Sequence, residues 1–125
     1  MNYKKSRLRE RLLAIIDATG THPTAQELFD VLREEHPGVG LASIYRNLRI
    51  LVEQGRLTRV EIKGNSERFE TRLDRHYHLI CEDCGAVRDI PLEVDRDLDH
   101  RVEKVTGYSV SRHEIQFFGR CEKCR

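Results

Sequence analysis

Four cysteines, all in the second half of the chain, constrain this sequence more than any other feature. They form two Cys-x-x-Cys pairs, Cys81 with Cys84 and Cys121 with Cys124, and Gly85 follows the first pair. Two such pairs together supply the four thiolates of a tetrahedral zinc site. One pair acting alone would instead be a redox dithiol, and this alternative stays open. The spacing therefore predicts a second half that is organised around zinc.

Composition and charge restrict the function classes. The chain has 125 residues, of which 38% are hydrophobic and 34% charged, which is typical of a folded protein with a large surface. No apolar run approaches the roughly 20 residues that a membrane span needs. No apolar segment follows residues 1–5, so we expect no secretory signal and a cytoplasmic location. Basic residues outnumber acidic ones in residues 1–75 and the reverse holds in 76–125, which indicates either an anionic partner for the first half or a solvated helix face.

Apolar residues recur at helical spacing in three stretches of the first half. The first helix is predicted to end at Gly20. The second begins with a capping box formed by Thr24 and Glu27 and ends at residues 36–38. The third runs from about Ala42 to Gln54, and its predicted inward stripe comprises Leu41, Ile44, Leu48, Leu51 and Val52.

Two strands, residues 57–62 and 67–71, are predicted to follow around a turn at 63–66. Three helices followed by a β-hairpin is the element order of a winged helix-turn-helix, whose third helix enters the major groove of DNA. The alternative is a helix whose arginines are only solvated. Five residues are predicted to point away from the core, namely Ala42, Arg46, Arg49, Ile50 and Glu53, with Ser43 and Tyr45 at the flanks. The residues predicted to bind DNA are Ser43, Tyr45, Arg46 and Arg49, together with Lys63, which at the hairpin tip would reach the phosphate backbone.

The second half is predicted to contain strands at 76–81 and 86–90, a helix from Pro91 to Gly107, and a last strand at 109–118. The fold class is thus α+β, with a first domain over 1–71, a hinge at 72–75 and a second domain over 76–125. An exposed edge strand in so small a sheet favours pairing with a second copy. The predicted apolar stripe of the helix comprises Val94, Leu98, Val102 and Val105.

Two histidines precede the first cysteine pair. His76 and His78 share a strand face because alternate strand residues point the same way. Beside carboxylates this spacing favours a metal site over two structural histidines, although both interpretations remain open.

Three segments together resemble the ferric uptake regulator family: Ala42–Leu48, His76–Gly85 and Phe118–Cys124. The resemblance covers nearly the whole chain. It implies a dimeric, metal-activated transcriptional repressor with an N-terminal winged helix and a C-terminal α/β dimerisation domain. The expected partners are then a second copy of the chain and a near-palindromic site in double-stranded DNA, and no enzymatic activity is expected.

The resemblance also implies two metal sites. Cys81, Cys84, Cys121 and Cys124 would hold a structural zinc. The regulatory metal would be held by nitrogen and oxygen donors alone, which suits Fe²⁺ or Mn²⁺. These donors are His22, Glu70, His76, His78 and Asp89.

The residues resemble two branches of the family, the peroxide-responsive repressors and the iron-uptake regulators. Residues 22–25 and Asp89 resemble the peroxide-responsive repressors, whereas Glu70 resembles the iron-uptake regulators. We therefore expect a repressor that responds to Fe²⁺ or Mn²⁺ and to peroxide, and controls genes of metal homeostasis or oxidative stress. The alternative is an iron-uptake regulator without peroxide sensing.

Rival classes are a thiol redox enzyme, a metal-dependent hydrolase and a zinc-containing interaction module without DNA binding. No candidate nucleophile motif or glycine-rich loop supports either enzyme. Native thiols that react readily would favour the redox dithiol, because zinc-bound thiolates are protected.

Overall fold

A computed structural model describes residues 6–62, 64 and 66–125. The chain divides between Leu73 and Asp74 into two compact units, here called the N-terminal unit and the C-terminal unit. Together they form a mixed helix and sheet fold, which confirms the predicted mixture. No helix in the described stretches is long and apolar enough to cross a membrane. In chain order the elements are α1 (Arg7–Thr19), α2 (Ala25–Leu32), α3 (Leu41–Glu53), β1 (Thr58–Val60), β2 (Arg68–Glu70), β3 (His78–Cys81), β4 (Val87–Asp89), α4 (Asp97–Thr106) and β5 (Gln116–Gly119).

Local signals set the ends of the first two helices. α1 ends at Gly20, whose φ of 64° is readily adopted only by glycine. The predicted capping box is confirmed at α2. The Thr24 hydroxyl accepts from the Glu27 N–H at 3.1 Å, and Glu27 Oε1 accepts from the Thr24 N–H at 3.1 Å. α2 ends at Leu32, before the predicted stop at residues 36–38.

The core of the N-terminal unit lies between its three helices and the hairpin. α3 packs against both α1 and α2. The prediction that Ile50 points outward is wrong, since Ile50 is only 6% exposed, and the buried face of α3 is therefore wider than the predicted stripe. The central cluster of buried residues comprises Leu12, Ile16, Ala25, Leu28, Leu32, Ile44, Leu48, Leu51, Leu57 and Phe69.

The hairpin of the N-terminal unit is short. β1 and β2 are antiparallel, with Thr58 opposite Glu70 and Val60 opposite Arg68. A third stretch of chain lies against β2, because Thr24 forms an isolated bridge with Arg68. The Phe69 N–H also donates to the Pro23 carbonyl at 3.0 Å. The loop that leads into α2 is thereby attached to the hairpin.

The C-terminal unit has a three-stranded sheet with β3 in the centre. β4 is antiparallel to β3, and β5 is parallel to it. The last strand begins at Gln116, and the predicted start at residue 109 is wrong. α4 begins at Asp97, so the prediction of a helix from Pro91 is wrong as well. The reason lies in the preceding segment, where the Leu92 N–H donates to the Ile90 carbonyl and the Asp95 N–H to the Tyr77 hydroxyl.

The apolar stripe predicted for α4 is not buried within this unit. No residue of α4, all of which the structure describes, is buried. Val102 is 41% exposed and Val105 is 87% exposed. The helix ends at Gly107 with a φ of 76°, as predicted.

Candidate functional site

The two cysteine pairs are brought together by the sheet. Cys81 is the last residue of β3, and Gly85, with a φ of 76°, closes the turn that carries Cys84. Because β5 runs parallel to β3 with Gly119 opposite Cys81, the second pair emerges beside the first. The four Sγ atoms lie within 4.8 Å of one another.

The cysteine cluster has the geometry and chemistry of a zinc site. Cys84 Sγ and Cys121 Sγ are 3.8 Å apart, and a tetrahedron with Zn–S bonds of about 2.3 Å has edges of about 3.8 Å. Backbone N–H groups of Cys84 and Cys121 donate to Cys81 Sγ at 3.5 and 3.4 Å. These bonds lower the pKa of Cys81 to about 6, whereas hydrogen bonding with the Cys121 and Cys81 thiols raises the pKa of Cys124 to about 12. Four thiolates can therefore coexist here only around a cation.

A second group of donors lies at the other end of β3. Asp89 of β4 is the register partner of His78. Its Oδ1 is 2.8 Å from His76 Nε2 and 3.4 Å from His78 Nε2. The two imidazole rings are tilted against each other with centroids 4.5 Å apart.

The tautomer of His76 shows that a proton or a cation must lie between His76 and Asp89. His76 Nδ1 is 2.7 Å from the Asp74 carbonyl oxygen, which can only accept, so Nδ1 carries a hydrogen. In neutral His76 the lone pair of Nε2 then points at a carboxylate oxygen. Two acceptors at 2.8 Å require either a second proton or a shared cation between them. An Nδ1–H bonded to a carbonyl is also the usual support for a metal-binding imidazole, so the group fits a metal.

The N-terminal unit contains a related pair. His22 and Glu70 are both buried, and His22 Nε2 is 2.7 Å from Glu70 Oε2. His22 lies in the loop before α2, and Glu70 is the last residue of β2. A buried carboxylate needs a proton or a positive charge, which a proton shared with the imidazole or a metal ion would supply.

The residues predicted to meet DNA lie on α3. Arg46 and Arg49 are exposed, and Tyr45 is 41% exposed. Ser43 is half-buried, and its carbonyl accepts from Asn47 Nδ2 at 2.8 Å. Lys63 lies outside the described residues.

One basic residue of the N-terminal segment is not on the surface. Arg9 is 5% exposed, and its Nη1 donates to Asn47 Oδ1 at 3.0 Å. This contact joins α1 to the helix that carries Arg46 and Arg49. The signal was present in the sequence, because Arg9 lies at helical spacing from the buried Leu12 and Ile16.

Sequence reasoning also missed a chain of polar groups behind β3. The Tyr77 hydroxyl accepts from the Asp95 N–H at 2.8 Å and lies 2.8 Å from His113 Nε2. His113 Nδ1 lies 2.7 Å from Asp99 Oδ1. These hydrogen-bonded side chains connect the residue before β3 to α4 and to the segment before β5. No local pattern could have found it, because Tyr77 and His113 are 36 residues apart.

The chain is similar to ferric uptake regulators and to peroxide-responsive regulators. A sequence model of the ferric uptake regulator family matches residues 1–118. The peroxide-responsive repressor PerR of Staphylococcus saprophyticus is 32% identical over 117 residues, covering 94% of this chain and 79% of that protein. The ferric uptake regulator of Vibrio cholerae superposes with a TM-score of 0.73 at 27% identity, over 94% of this chain and 92% of that one. The Campylobacter jejuni peroxide stress regulator gives a TM-score of 0.73 at 26% identity, over 94% and 88%.

Proposed function

The chain belongs to the ferric uptake regulator family, and we propose that it is a dimeric repressor whose DNA binding depends on a regulatory metal ion. Members of this family are transcriptional regulators, so the redox enzyme and the hydrolase are set aside. In this proposal residues 1–71 form a winged helix-turn-helix, 72–75 a hinge and 76–125 the dimerisation domain. The cysteine cluster holds a structural zinc.

One observation carries the proposed metal dependence: acidic side chains lie against imidazole nitrogens in both units. The contacts are 2.7 Å between His22 and Glu70 and 2.8 Å between His76 and Asp89. We propose that a single Fe²⁺ or Mn²⁺ replaces the protons that these contacts otherwise require. Nitrogen and oxygen donors without thiolate suit both ions. The five proposed ligands are His22, Glu70, His76, His78 and Asp89.

The distribution of these ligands along the chain suggests how the metal would act. His22 and Glu70 belong to the N-terminal unit, and the other three ligands belong to the C-terminal unit. A metal bound by all five would favour the arrangement of the units in which both recognition helices of a dimer fit their half-sites. By linkage, DNA would tighten metal binding by the same factor.

The decisive experiment is a His22→Ala variant. We expect it to keep its zinc and its dimer but to lose the stimulation of DNA binding by Mn²⁺, because the ligands of the N-terminal unit are then incomplete. His36→Ala is the matched control, since it removes a histidine of the same unit outside the proposed sites. A normal response of the His22 variant to Fe²⁺ or Mn²⁺ would refute the metal clamp.

The proposed DNA contacts are tested separately. Arg46→Ala or Tyr45→Ala should weaken binding to a near-palindromic operator by about 1–3 kcal/mol if these side chains reach bases. Arg33→Ala is the control, because Arg33 is an exposed arginine of the same unit that pairs with Asp30. Lys63→Ala should weaken all sequences alike and reduce the salt dependence. Unchanged operator affinity in the Arg46 variant would remove this helix face from the interface.

The proposed dimer rests on apolar side chains that the C-terminal unit leaves exposed. β5 is an edge strand, and exposed apolar side chains on and near an open edge favour association with another chain. Phe117→Asp should therefore yield monomers in sedimentation experiments, whereas Val31→Asp, at an exposed site of the N-terminal unit, should not. A dimeric Phe117 variant would place the interface elsewhere. The exposed residues in question are Leu79, Leu92, Val102, Val105, Tyr108, Phe117 and Phe118.

Peroxide sensing is the finer part of the proposal, and similarity to peroxide-responsive repressors supports it. Peroxide should add one oxygen to His22, His76 or His78 when the protein is loaded with Fe²⁺ but not with Mn²⁺, and mass spectrometry would detect it. The second candidate is an iron-uptake regulator, which the resemblance at Glu70 and the similarity to the Vibrio cholerae regulator favour. Unmodified histidines together with DNA binding that follows iron supply would establish that alternative.

A further inference from the structure

Arg68 contacts the backbone of His22, one of the two proposed metal ligands in the N-terminal unit, and is not itself a proposed ligand. It is the first residue of β2, two positions before Glu70. Its Nη1 donates to the backbone carbonyl of His22 at 2.9 Å and lies 3.3 Å from Glu27 Oε1. The Arg68 side chain is only 21% exposed, and its bond to the His22 carbonyl is partly buried, whereas its contact with Glu27 is exposed.

The two partners of Arg68 lie on either side of a short connection. His22, Pro23 and Thr24 lead directly into α2, and Glu27 is the acidic member of its capping box. Glu27 Oε1 therefore accepts from both Arg68 and the Thr24 N–H. One guanidinium thus attaches the backbone of His22 and the first turn of α2 to the strand that carries Glu70.

From this arrangement we infer that Arg68 is a positioning residue for the regulatory metal, and that it couples metal binding to the start of α2. The inference rests on the proposed function, in which His22 and Glu70 are ligands. Without the guanidinium, the carbonyl of His22 loses a charge-assisted hydrogen bond, and the attachment of the loop to β2 is weaker. Imidazole and carboxylate must lie within a few tenths of an ångström of their ligating positions, so freedom in this loop weakens metal binding.

The chain offers a matched control for this residue. Arg59 lies on β1, the other strand of the same hairpin, and its side chain is 47% exposed. It pairs with Glu61 at 2.6 Å and Glu67 at 3.8 Å, neither of which belongs to the proposed metal site. Arg68→Met and Arg59→Met are therefore the same substitution on the two strands of one hairpin, and each removes one positive charge.

The experiment titrates zinc-loaded full-length protein with Mn²⁺ alone. Loss of an outer partner of a metal ligand costs about 10-fold to 100-fold in affinity, so we expect Arg68→Met to bind Mn²⁺ at least 10-fold more weakly than the wild type. Arg59→Met should bind as the wild type does, and zinc content should be equal in all three. Arg68→Lys keeps one charged donor and should recover part of the affinity, and it also serves if the methionine variant fails to fold.

Hydrogen exchange gives a readout that a purely structural role would not change. In the wild type Mn²⁺ should slow exchange at the amides of Glu27 and Leu28, in the first turn of α2, and in Arg68→Met this protection should be lost. Equal Mn²⁺ affinity and protection in the wild type and Arg68→Met would overturn the inference alone. A wild type that takes up neither Mn²⁺ nor, in the same titration without oxygen, Fe²⁺ beyond its zinc would overturn the proposed function and the inference with it.

Discussion

The two units of the chain are stabilised in different ways. The N-terminal unit has three helices and a hairpin around a continuous cluster of fully buried leucine and isoleucine side chains. In the C-terminal unit, all of which the structure describes, the buried hydrophobic residues are Tyr77, Ile80, Cys81 and Val87. Its single helix contributes none. The first unit can be stabilised by apolar burial, whereas the second buries little apolar surface and, in the proposed function, would depend on polar links, zinc and a second copy of the chain.

The contrast extends to the proposed metal ligands. In the N-terminal unit His22 and Glu70 are buried beside a packed core and are supported by Arg68. In the C-terminal unit the side chains of His76 and His78 are 3% and 12% exposed, and that of Asp89 is 30% exposed. The proposed ligands of the first unit are therefore buried beside a packed core, whereas those of the second lie on a thin sheet and one of them stays in contact with water.

The largest expected effect is the removal of one zinc ligand. Cys81→Ser, or equally Cys124→Ser, should lose the zinc, the fold of the C-terminal unit and the dimer together, because structural zinc binding is coupled to folding. The N-terminal unit should stay helical, which circular dichroism and hydrogen exchange would show. Metal analysis would give zinc near zero. A well-folded, zinc-free dimer would contradict the proposed role of the cluster.

The reciprocal change is made in the apolar core. Leu48 of α3 is fully buried, so Leu48→Ala should destabilise the N-terminal unit by about 2–5 kcal/mol. Zinc content should remain that of the wild type, because no cysteine lies in this unit. Urea unfolding followed by α-helical circular dichroism measures the loss. Release of zinc at the same urea concentration as helix loss would show that the two units unfold as one.

The smallest effect tests the polar chain of the C-terminal unit. Tyr77→Phe removes one hydroxyl and leaves the Asp95 N–H and His113 Nε2 without this partner, which should cost about 1–3 kcal/mol of stability. Tyr108→Phe is the control, since Tyr108 is 76% exposed and should change stability little. Thermal unfolding of zinc-loaded protein compares them. Equal stability of the two variants would mean that these polar contacts contribute nothing to the stability of the C-terminal unit.

Many features of this protein depend on residues close together in the sequence and could be predicted from it. The ends of α1 and α4 follow from the glycines at 20 and 107, and the start of α2 from the capping box of Thr24 and Glu27. These signals act within one helical turn, so they need no tertiary partner. The cysteine pairs likewise predicted that four cysteines meet in one cluster, because the spacing of each pair is that of a metal-binding turn.

Other features were decided by contacts between distant segments. Ile50 is only 6% exposed although its spacing on α3 places it outside the predicted inward stripe, and Arg68 reaches the carbonyl of His22 across 46 residues of sequence. The start of α4 moves to Asp97 because the Asp95 N–H bonds to the hydroxyl of Tyr77. Local periodicity cannot anticipate such contacts, since each depends on which segments the whole fold brings together. The tertiary structure therefore decided which polar groups support the proposed ligands, whereas the sequence, through its resemblance to the family, indicated which residues those ligands are.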